Sequence, residues 1–452
     1  MLEEAAVNLE GVTWPRMYTG PNLVLMALLA ELDRTMWLDP RVIAAEQFKQ
    51  LRLIVAHHMA HSPQFAARML AAGLTAADIT DAASLRRLPP LRRLDIQRAG
   101  DSFFSRHIPQ SHGQPGETRT SGSTGEPVRI RKTQIDALFW TAHAIRDHLW
   151  ARRDFGHRLL SIRADIWKYS ESPNWGQPIA DIWQTGRSIG MPATYDMREQ
   201  LRIIKQFQPG ILLIYPNNLN IILDEMAADG GDFGFIKHVK TIGETVHQWQ
   251  RDKTRAVLGL KIEDNYSSNE MGCMAMQCPD TDNYHVMTET VLLEIINDQD
   301  QPCAPGEVGR LVVTDLHNHA SALIRYDIGD WAEAGEPCSC GRGLPTIRRF
   351  VGREHSILSR PDGTRIWPIF YGAKMNDIAP VRQYQFIQHT LTSMEFRCFT
   401  EQPLTATQRA GLIALVQEAL GWPYELDLRE YRQPLPTTAR GKFQEYINRI
   451  CT

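Results

Sequence analysis

A chain of 452 residues with 43% hydrophobic and 22% charged residues can build more than one core, and it lies far from disordered, collagenous or disulfide-scaffold compositions. Its 49 basic and 52 acidic residues leave a formal charge of −3, which excludes the bulk positive field that holds nucleic acid or an anionic membrane surface. Seven cysteines in so long a chain are too few for a secreted disulfide framework, and the number is odd. With an acidic start, Met1-Leu-Glu-Glu, and an early apolar run of only residues 23–30, the expectation is a soluble cytoplasmic protein.

Taken in chain order, residues 41–73 repeat apolar side chains at helical spacing (Phe48, Leu51, Ile54, Val55, Met59), with Gly73 as a stop signal. The first hundred residues are therefore expected to be largely helical. The segment Leu85-Arg-Arg-Leu-Pro-Pro-Leu-Arg-Arg-Leu-Asp95 looks basic, but its leucines alternate with the arginines and Pro89-Pro90 stops a long helix. A packed linker with a solvated face follows, not a nucleic-acid patch. After Thr120 the pattern alternates: residues 211–215 read as a buried strand closed by Pro216, 219–228 as a helix, and 286–296 and 307–314 as strands. That order predicts an α/β chain with a more purely β section between about 270 and 352. Beyond Gly352, strands at 385–391 and 394–399 and a helix at 406–420 predict a small α+β domain.

Thr120-Ser-Gly-Ser-Thr-Gly-Glu-Pro127 packs two glycines and four hydroxyl side chains into one loop. Glycines let backbone approach an anion, and exposed amides and hydroxyls donate to phosphate oxygens, although a surface turn has the same composition. The loop lacks the lysine and spacing of a Walker motif. It resembles the phosphate-binding signature of adenylate-forming enzymes, the superfamily of acyl-CoA synthetases, luciferases and adenylation domains. Further matches follow in that family's order: Gly243-Glu244-Thr245, Tyr266-Ser-Ser-Asn-Glu270, Leu323-Ile-Arg-Tyr-Asp-Ile-Gly-Asp330, Gly352-Arg353 and Gly441-Lys442. The run Glu46-Gln-Phe-Lys-Gln-Leu through Leu88-Pro89, the pair Tyr215-Pro216 and Cys338-Ser-Cys340-Gly-Arg342 are similar to the phenylacetate-CoA ligase branch and its capsule-associated relatives.

The resemblance implies a large ATP- and acid-binding adenylation domain over residues 1–353, with β-sheets flanked by helices, and a small mobile lid over 354–452. It assigns the leaving phosphates to Ser121, Gly122, Ser123, Thr124 and Gly125, Mg²⁺ to Glu270, and adenine to Tyr266 beside the Gly243, Glu244 and Thr245 backbone. Ser267 and Asn269 join the nucleotide site, Asp330 and Arg353 the ribose, Lys442 the α-phosphate and substrate carboxylate, and Tyr215 with Pro216 the acyl pocket. The implied cosubstrates are ATP, a small carboxylic acid and coenzyme A; a carrier-protein thiol or an amine is the alternative acceptor. A nucleotide-binding protein without turnover is the further alternative, and a homodimer is left open. Departures from the pattern are Asn269 in place of threonine, Val128 in place of lysine with Arg129 or Arg131 as substitutes, and Gly352-Arg-Glu-His-Ser356 without the hinge aspartates.

Five of the eleven tryptophans (Trp140, Trp150, Trp167, Trp175, Trp183) crowd into residues 140–183 with Phe139 and Tyr169, which suggests an aromatic wall for an aryl acid, against the alternative of ordinary core residues. Cys278, His285, Cys338 and Cys340 offer three thiolates and one imidazole, a set that suits structural Zn²⁺; buried free thiols are the alternative. The resemblance adds that members of that branch can carry a structural zinc with cysteine and histidine at matching points. Cys273, Cys303, Cys398 and Cys451 are left as free thiols, and His317 and His319 as polar loop residues.

Overall fold

The structure is a computed structural model and describes residues 18, 20–119, 128–353, 358–362, 365–366, 375, 377–436 and 445–450. Its first strands are β1 (Gly116–Arg119), β2 (Arg129–Lys132), β3 (Leu159–Arg163), β4 (Ser170–Ser172), β5 (Ser188–Pro192), β6 (Ile211–Ile214) and β7 (His238–Thr241). Next come β8 (Ile262–Ser268), β9 (Gly272–Gln277), β10 (Tyr284–Val286), β11 (Val291–Ile296), β12 (Val308–Asp315), β13 (Tyr326–Ala334) and β14 (Thr346–Arg353). The C-terminal strands are β15 (Leu358–Ser359), β16 (Arg365–Ile366), β17 (Val381–Gln388), β18 (Ser393–Thr400), β19 (Glu425–Tyr431) and β20 (Tyr446–Asn448). The chain forms two compact units, one of Met1–His157, Pro173–Gly186 and Glu263–Phe350, the other of Arg158–Ser172, Arg187–Ile262 and Val351–Thr452.

In the first unit, helix Pro40–His61 begins where Pro40 takes the first helical position and the Asp39 carboxylate accepts the Arg41 amide at 2.8 Å. Ile43, Leu51, Ile54 and Val55 fall on its buried side. The helical stretch expected to run to Gly73 is divided: Pro63 has no N–H to continue the ladder, so a second helix, Pro63–Ala71, starts there. Leu85, Leu88 and Leu91 are fully buried at three-residue spacing, so the leucine-arginine segment is a packed connector. Leu91 also pairs through its backbone with Arg325 and Asp327.

Strands of this unit follow the order β11-β12-β13-β14-β10-β9-β8. The single strand expected over 286–296 is two strands, because Met287 to Thr290 turn, with the Thr290 and Val291 amides both donating to the Met287 carbonyl. Curvature brings distant strands together: the Tyr266 hydroxyl on β8 donates to Asp330 on β13 at 2.6 Å, although β9, β10 and β14 lie between them in the order. A core of Leu, Ile, Val, Met and Phe side chains from the N-terminal helices and this sheet fills the concavity.

In the second unit, β7-β6-β3-β5 run parallel, with β4 antiparallel on the edge. Helix Met197–Phe207 connects β5 to β6, and helix Pro216–Asp229 connects β6 to β7. Ile211, Leu212 and Ile214 are buried, as a continuous apolar run predicts for a strand covered on both faces. The helix after it starts at Pro216, three residues before the expected 219, since proline fits the first helical position. The C-terminal strands follow the order β19-β18-β17-β20, and helix Ala406–Leu420 buries Leu412, Val416 and Leu420 in that module's own core. Thr405 and Gln408 close its N-terminus as a capping box. Among the described residues no helix is long and apolar enough to cross a membrane.

Candidate functional site

The Tyr266 to Glu270 motif occupies the end of β8 and the turn into β9. The register shifts between Tyr266, opposite Ala275, and Ser267, opposite Cys273, so Met274 is the extra residue of a bulge. A bulge twists a hairpin locally and re-aims the side chains beyond it. The turn is closed by the Ser268 hydroxyl, which accepts the Met271 amide at 3.0 Å, and by Gly272 at φ +75°. Ser267 and Asn269 are exposed on the hairpin, and Glu270 is half-buried at its tip. Arg93 approaches the Glu270 carboxylate at 3.9 Å. Burial, then the neighbouring Glu270 charge, pushes the Tyr326 phenol up.

One face of the Tyr266 ring lies on Phe350, with centroids 4.0 Å apart and planes at 22°, while its hydroxyl holds Asp330. Phe350 was missed by sequence reasoning, although its place two residues before the Gly352-Arg353 motif was a usable signal. The backbone of Arg353 ends β14. The side chain of Arg353, and all of Ser121, Gly122, Ser123, Thr124, Gly125, Gly441, Lys442 and Cys451, lie outside the described residues. The strands that flank the 120–127 segment pair antiparallel, Arg119 opposite Arg129. Neither substitute for the missing lysine is uncommitted: Arg129 forks onto Glu117 at 2.8 to 2.9 Å and reaches Asp101 at 3.2 Å, while Arg131 packs over Phe104.

In the second unit Gly243 adopts φ +75°, a conformation glycine takes without strain, and the Glu244 carboxylate accepts the Asn217 amide at 3.2 Å. Glu244 thus places negative charge at the N-terminus of helix Pro216–Asp229, where the helix dipole favours it. Tyr215 precedes that helix; its phenolic oxygen accepts the Ala164 amide at 3.2 Å and burial pushes its pKa up, while Pro216 is buried. On the C-terminal side, the Glu445 carboxylate lies 3.3 Å from His247.

The expected aromatic wall is not a single surface. Phe155 stacks on Trp183 at 4.7 Å and meets Trp175 at 5.4 Å, Trp150 packs beside His285, and Trp167 is 89% exposed. Alternation of neighbouring elements scatters residues that are close in sequence. Trp140 and Phe139 line a small cavity together with Lys132, Asp136, His143 and Asp315. At about 20 Å³ it has room for one water-sized group, not for an aryl acid. Burial, reinforced by Asp136, pushes the Asp315 carboxyl up to about 7. His317 spends its Nε2 on the Glu289 carbonyl, as befits a loop residue.

The four cysteine and histidine residues converge: one ligand atom from each of Cys278, His285, Cys338 and Cys340 lies within 4.8 Å of all the others. His285, on β10, directs Nδ1 toward the Leu344 carbonyl at 3.4 Å and Nε2 toward Cys340 at 3.3 Å, an arrangement that leaves Nε2 on the sulfur side. Cys278 and Cys338 sulfurs are 3.8 Å apart. Burial raises the Cys278 thiol, but hydrogen bonds from His285, Thr281 and the 280–281 backbone outweigh it and bring it down to about 6; burial pushes Cys340 up to about 11. Three sulfurs and one imidazole nitrogen converging in a buried place fit a tetrahedral thiophilic ion. Cys273 and Cys398 are buried and Cys303 partly so, apart from this set.

No protein-family model matches the chain. Its sequence is 26% identical to the phenylacetate-coenzyme A ligase of Escherichia coli strain K12 over 330 residues, 71% of each chain. It is 25% identical to the enzyme of that name from Pseudomonas putida, covering 75% of this chain and 76% of the relative. In fold it is similar to a 2-hydroxyisobutyryl-CoA ligase in the postadenylation state, with a TM-score of 0.72, 16% identity and 91% of each chain covered. An anthranilate CoA ligase in complex with anthranoyl-AMP matches at a TM-score of 0.52, with 15% identity over 72% of this chain and 64% of that one. In sequence and motif order the chain is thus similar to the phenylacetate-CoA ligases, and in fold to adenylate-forming CoA ligases.

Proposed function

We propose that this protein is an ATP-dependent, AMP-forming ligase that joins a carboxylic acid to coenzyme A. The observation that carries the reading is the set of motifs in family order over a chain whose sequence relatives are phenylacetate-CoA ligases. In the first half-reaction a carboxylate oxygen attacks the α-phosphorus of ATP and the bond to pyrophosphate breaks. In the second, the thiol sulfur attacks the acyl carbon, the bond to AMP breaks and the thiol proton leaves. The acid is aromatic in this reading, after the phenylacetate of the relatives. Position and charge neutralisation supply most of the catalysis in such transfers.

The protein's part in that scheme follows from its residues. Adenine stacks on the Tyr266 face opposite Phe350, and the Tyr266 hydroxyl holds Asp330 for the ribose. Glu270 suits Mg²⁺, which binds through one or two carboxylates and substrate phosphates while keeping water; the ion would neutralise phosphate charge. The 120–125 segment holds the leaving phosphates, the Gly243 to Thr245 backbone borders adenine, and Tyr215 with Pro216 borders the acid. Residues 354–452 act as a lid that delivers Lys442 to the first step and withdraws it for the second. Cys278, His285, Cys338 and Cys340 hold a structural Zn²⁺, for four protein ligands leave no open position.

Tyr266→Phe removes a charge-assisted hydrogen bond and is expected to weaken ATP binding by about 1–2 kcal/mol, roughly 5- to 30-fold, with the fold unchanged. ATP titration of the two proteins checks this; equal affinities would remove Tyr266 from the ribose site. The overall reading is tested by following AMP release with phenylacetate and other aryl acids while adding coenzyme A, a phosphopantetheinyl carrier or amines in turn. Thioester formation with coenzyme A is expected. Release that responds only to the carrier or to an amine would replace the acceptor and keep the first half-reaction.

A further inference from the structure

The segment Cys338-Ser-Cys340-Gly-Arg-Gly343 contributes more than two sulfurs. Its arginine side chain is only 8% exposed, and the guanidinium lies between two indoles, 4.9 Å from the Trp37 ring and 4.6 Å from the Trp150 ring. Nη1 points to the Cys278 sulfur at 3.9 Å and to the Asp280 carboxylate at 3.1 Å, and Nε is buried without a hydrogen-bond partner. Asp280 is half exposed, so water screens its claim on that charge. The loop is fixed in place: Gly341 turns the chain at φ +85°, and the Gly343 amide donates to the Met36 carbonyl at 2.9 Å. A Cβ at Gly343 would stand 1.9 Å from the Leu38 carbonyl oxygen, so only glycine permits this docking beneath Trp37.

Charge arithmetic gives the arrangement a purpose. Three thiolates, one neutral imidazole and one divalent ion sum to −1, and a buried uncompensated charge is costly. We infer that Arg342, clamped between Trp37 and Trp150, is the counter-charge that neutralises the Cys278–His285–Cys338–Cys340 metal centre and slows loss of its ion. The inference rests on the zinc reading above. Arg342 is a positioning residue here: it touches the ligands and takes no part in ligase chemistry. Planarity matters as well as charge, since a compact ammonium cannot stack on two indoles as a guanidinium does.

The test compares the full-length protein with Arg342→Met, Arg342→Lys and Trp37→Leu. Zinc per chain is measured after gentle purification, and then its rate of transfer to a colorimetric chelator. About one zinc per wild-type chain is expected, with release at least about tenfold faster from Arg342→Met, the size usual for a ligand-orienting neighbour, and intermediate rates from the other two. In the Co²⁺-loaded proteins the sulfur-to-cobalt charge-transfer band should move to longer wavelength in Arg342→Met, because removing a nearby cation raises the energy of the sulfur electrons. A merely structural arginine would leave that band in place. Wild-type protein without zinc overturns the metal reading itself; wild-type protein with zinc, but with unchanged release and an unchanged band in Arg342→Met, overturns the role of Arg342 alone. Trp37→Leu removes only a half-exposed ring and leaves every ligand intact, so it decides the matter if Arg342→Met does not fold.

Discussion

Lys442→Ala is expected to lower the rate of acyl-adenylate formation by roughly two to three orders of magnitude, the loss typical when one preorganised donor to developing charge is removed. The same variant should still consume acyl-AMP supplied from outside when coenzyme A is added, because in the proposed scheme the lid has withdrawn this ammonium before the second half-reaction. The assignment comes from the Gly441-Lys442 motif. Single-turnover measurements of the two halves decide the point. Equal loss in both would mean that Lys442 serves the fold of the lid, not the first step.

Arg325→Met should destabilise the first unit by about 3–5 kcal/mol, the range found when one partner of a buried ion pair is removed. Arg325 is fully buried. Its Nε donates to Glu294 at 3.0 Å, and Nη1 donates to the Arg86 carbonyl at 2.9 Å and to the Leu88 carbonyl. Its own carbonyl accepts the Leu91 amide, and its φ of +50° is one that an arginine adopts only under constraint. Arg325 is therefore one of the residues that tie the leucine-arginine connector to the sheet, together with the Leu91–Asp327 backbone bond and Arg68, which donates to the Ile324 and Pro89 carbonyls. Burial already raises the Glu294 carboxyl, and without Arg325 that carboxyl would sit buried and unpaired. Adding Glu294→Gln to Arg325→Met should consequently recover part of the loss. Denaturant unfolding of the single and double variants checks both statements; a loss under about 1 kcal/mol for Arg325→Met would show the pair to be dispensable.

Local patterns in the sequence translated well where one element was enough to fix them. The 406–420 helix has its bounds as read, because a capping box opens it and Gly421 closes it at φ +60°. The continuous apolar run at 211–214 and the buried leucines of the connector also follow from burial alone. Readings failed where tertiary context decided. Pro63 divided a helical pattern that had been read as unbroken, and a turn at Met287 split one apolar run into two strands. The tryptophans of 140–183 were close in sequence but were sent to different environments by the elements that carry them. At the candidate site, motif order singles out Tyr266 and Asp330, but no spacing rule foretells that a curled sheet joins them, or that Phe350 backs the tyrosine. The four metal-type ligands, 62 residues from first to last, were legible as a chemical set; their convergence and the arginine beside them came only from the structure.

The central claim is that this chain makes an acyl adenylate. Its most direct test is exchange of labelled pyrophosphate into ATP, with Mg²⁺ present and a panel of aryl and aliphatic acids offered without coenzyme A. The account predicts exchange that depends on an acid, is strongest with an aryl acid, and is lost in Glu270→Gln. Absence of exchange with every acid, in protein that binds ATP and holds its fold, would contradict the account and leave a nucleotide-binding protein without turnover.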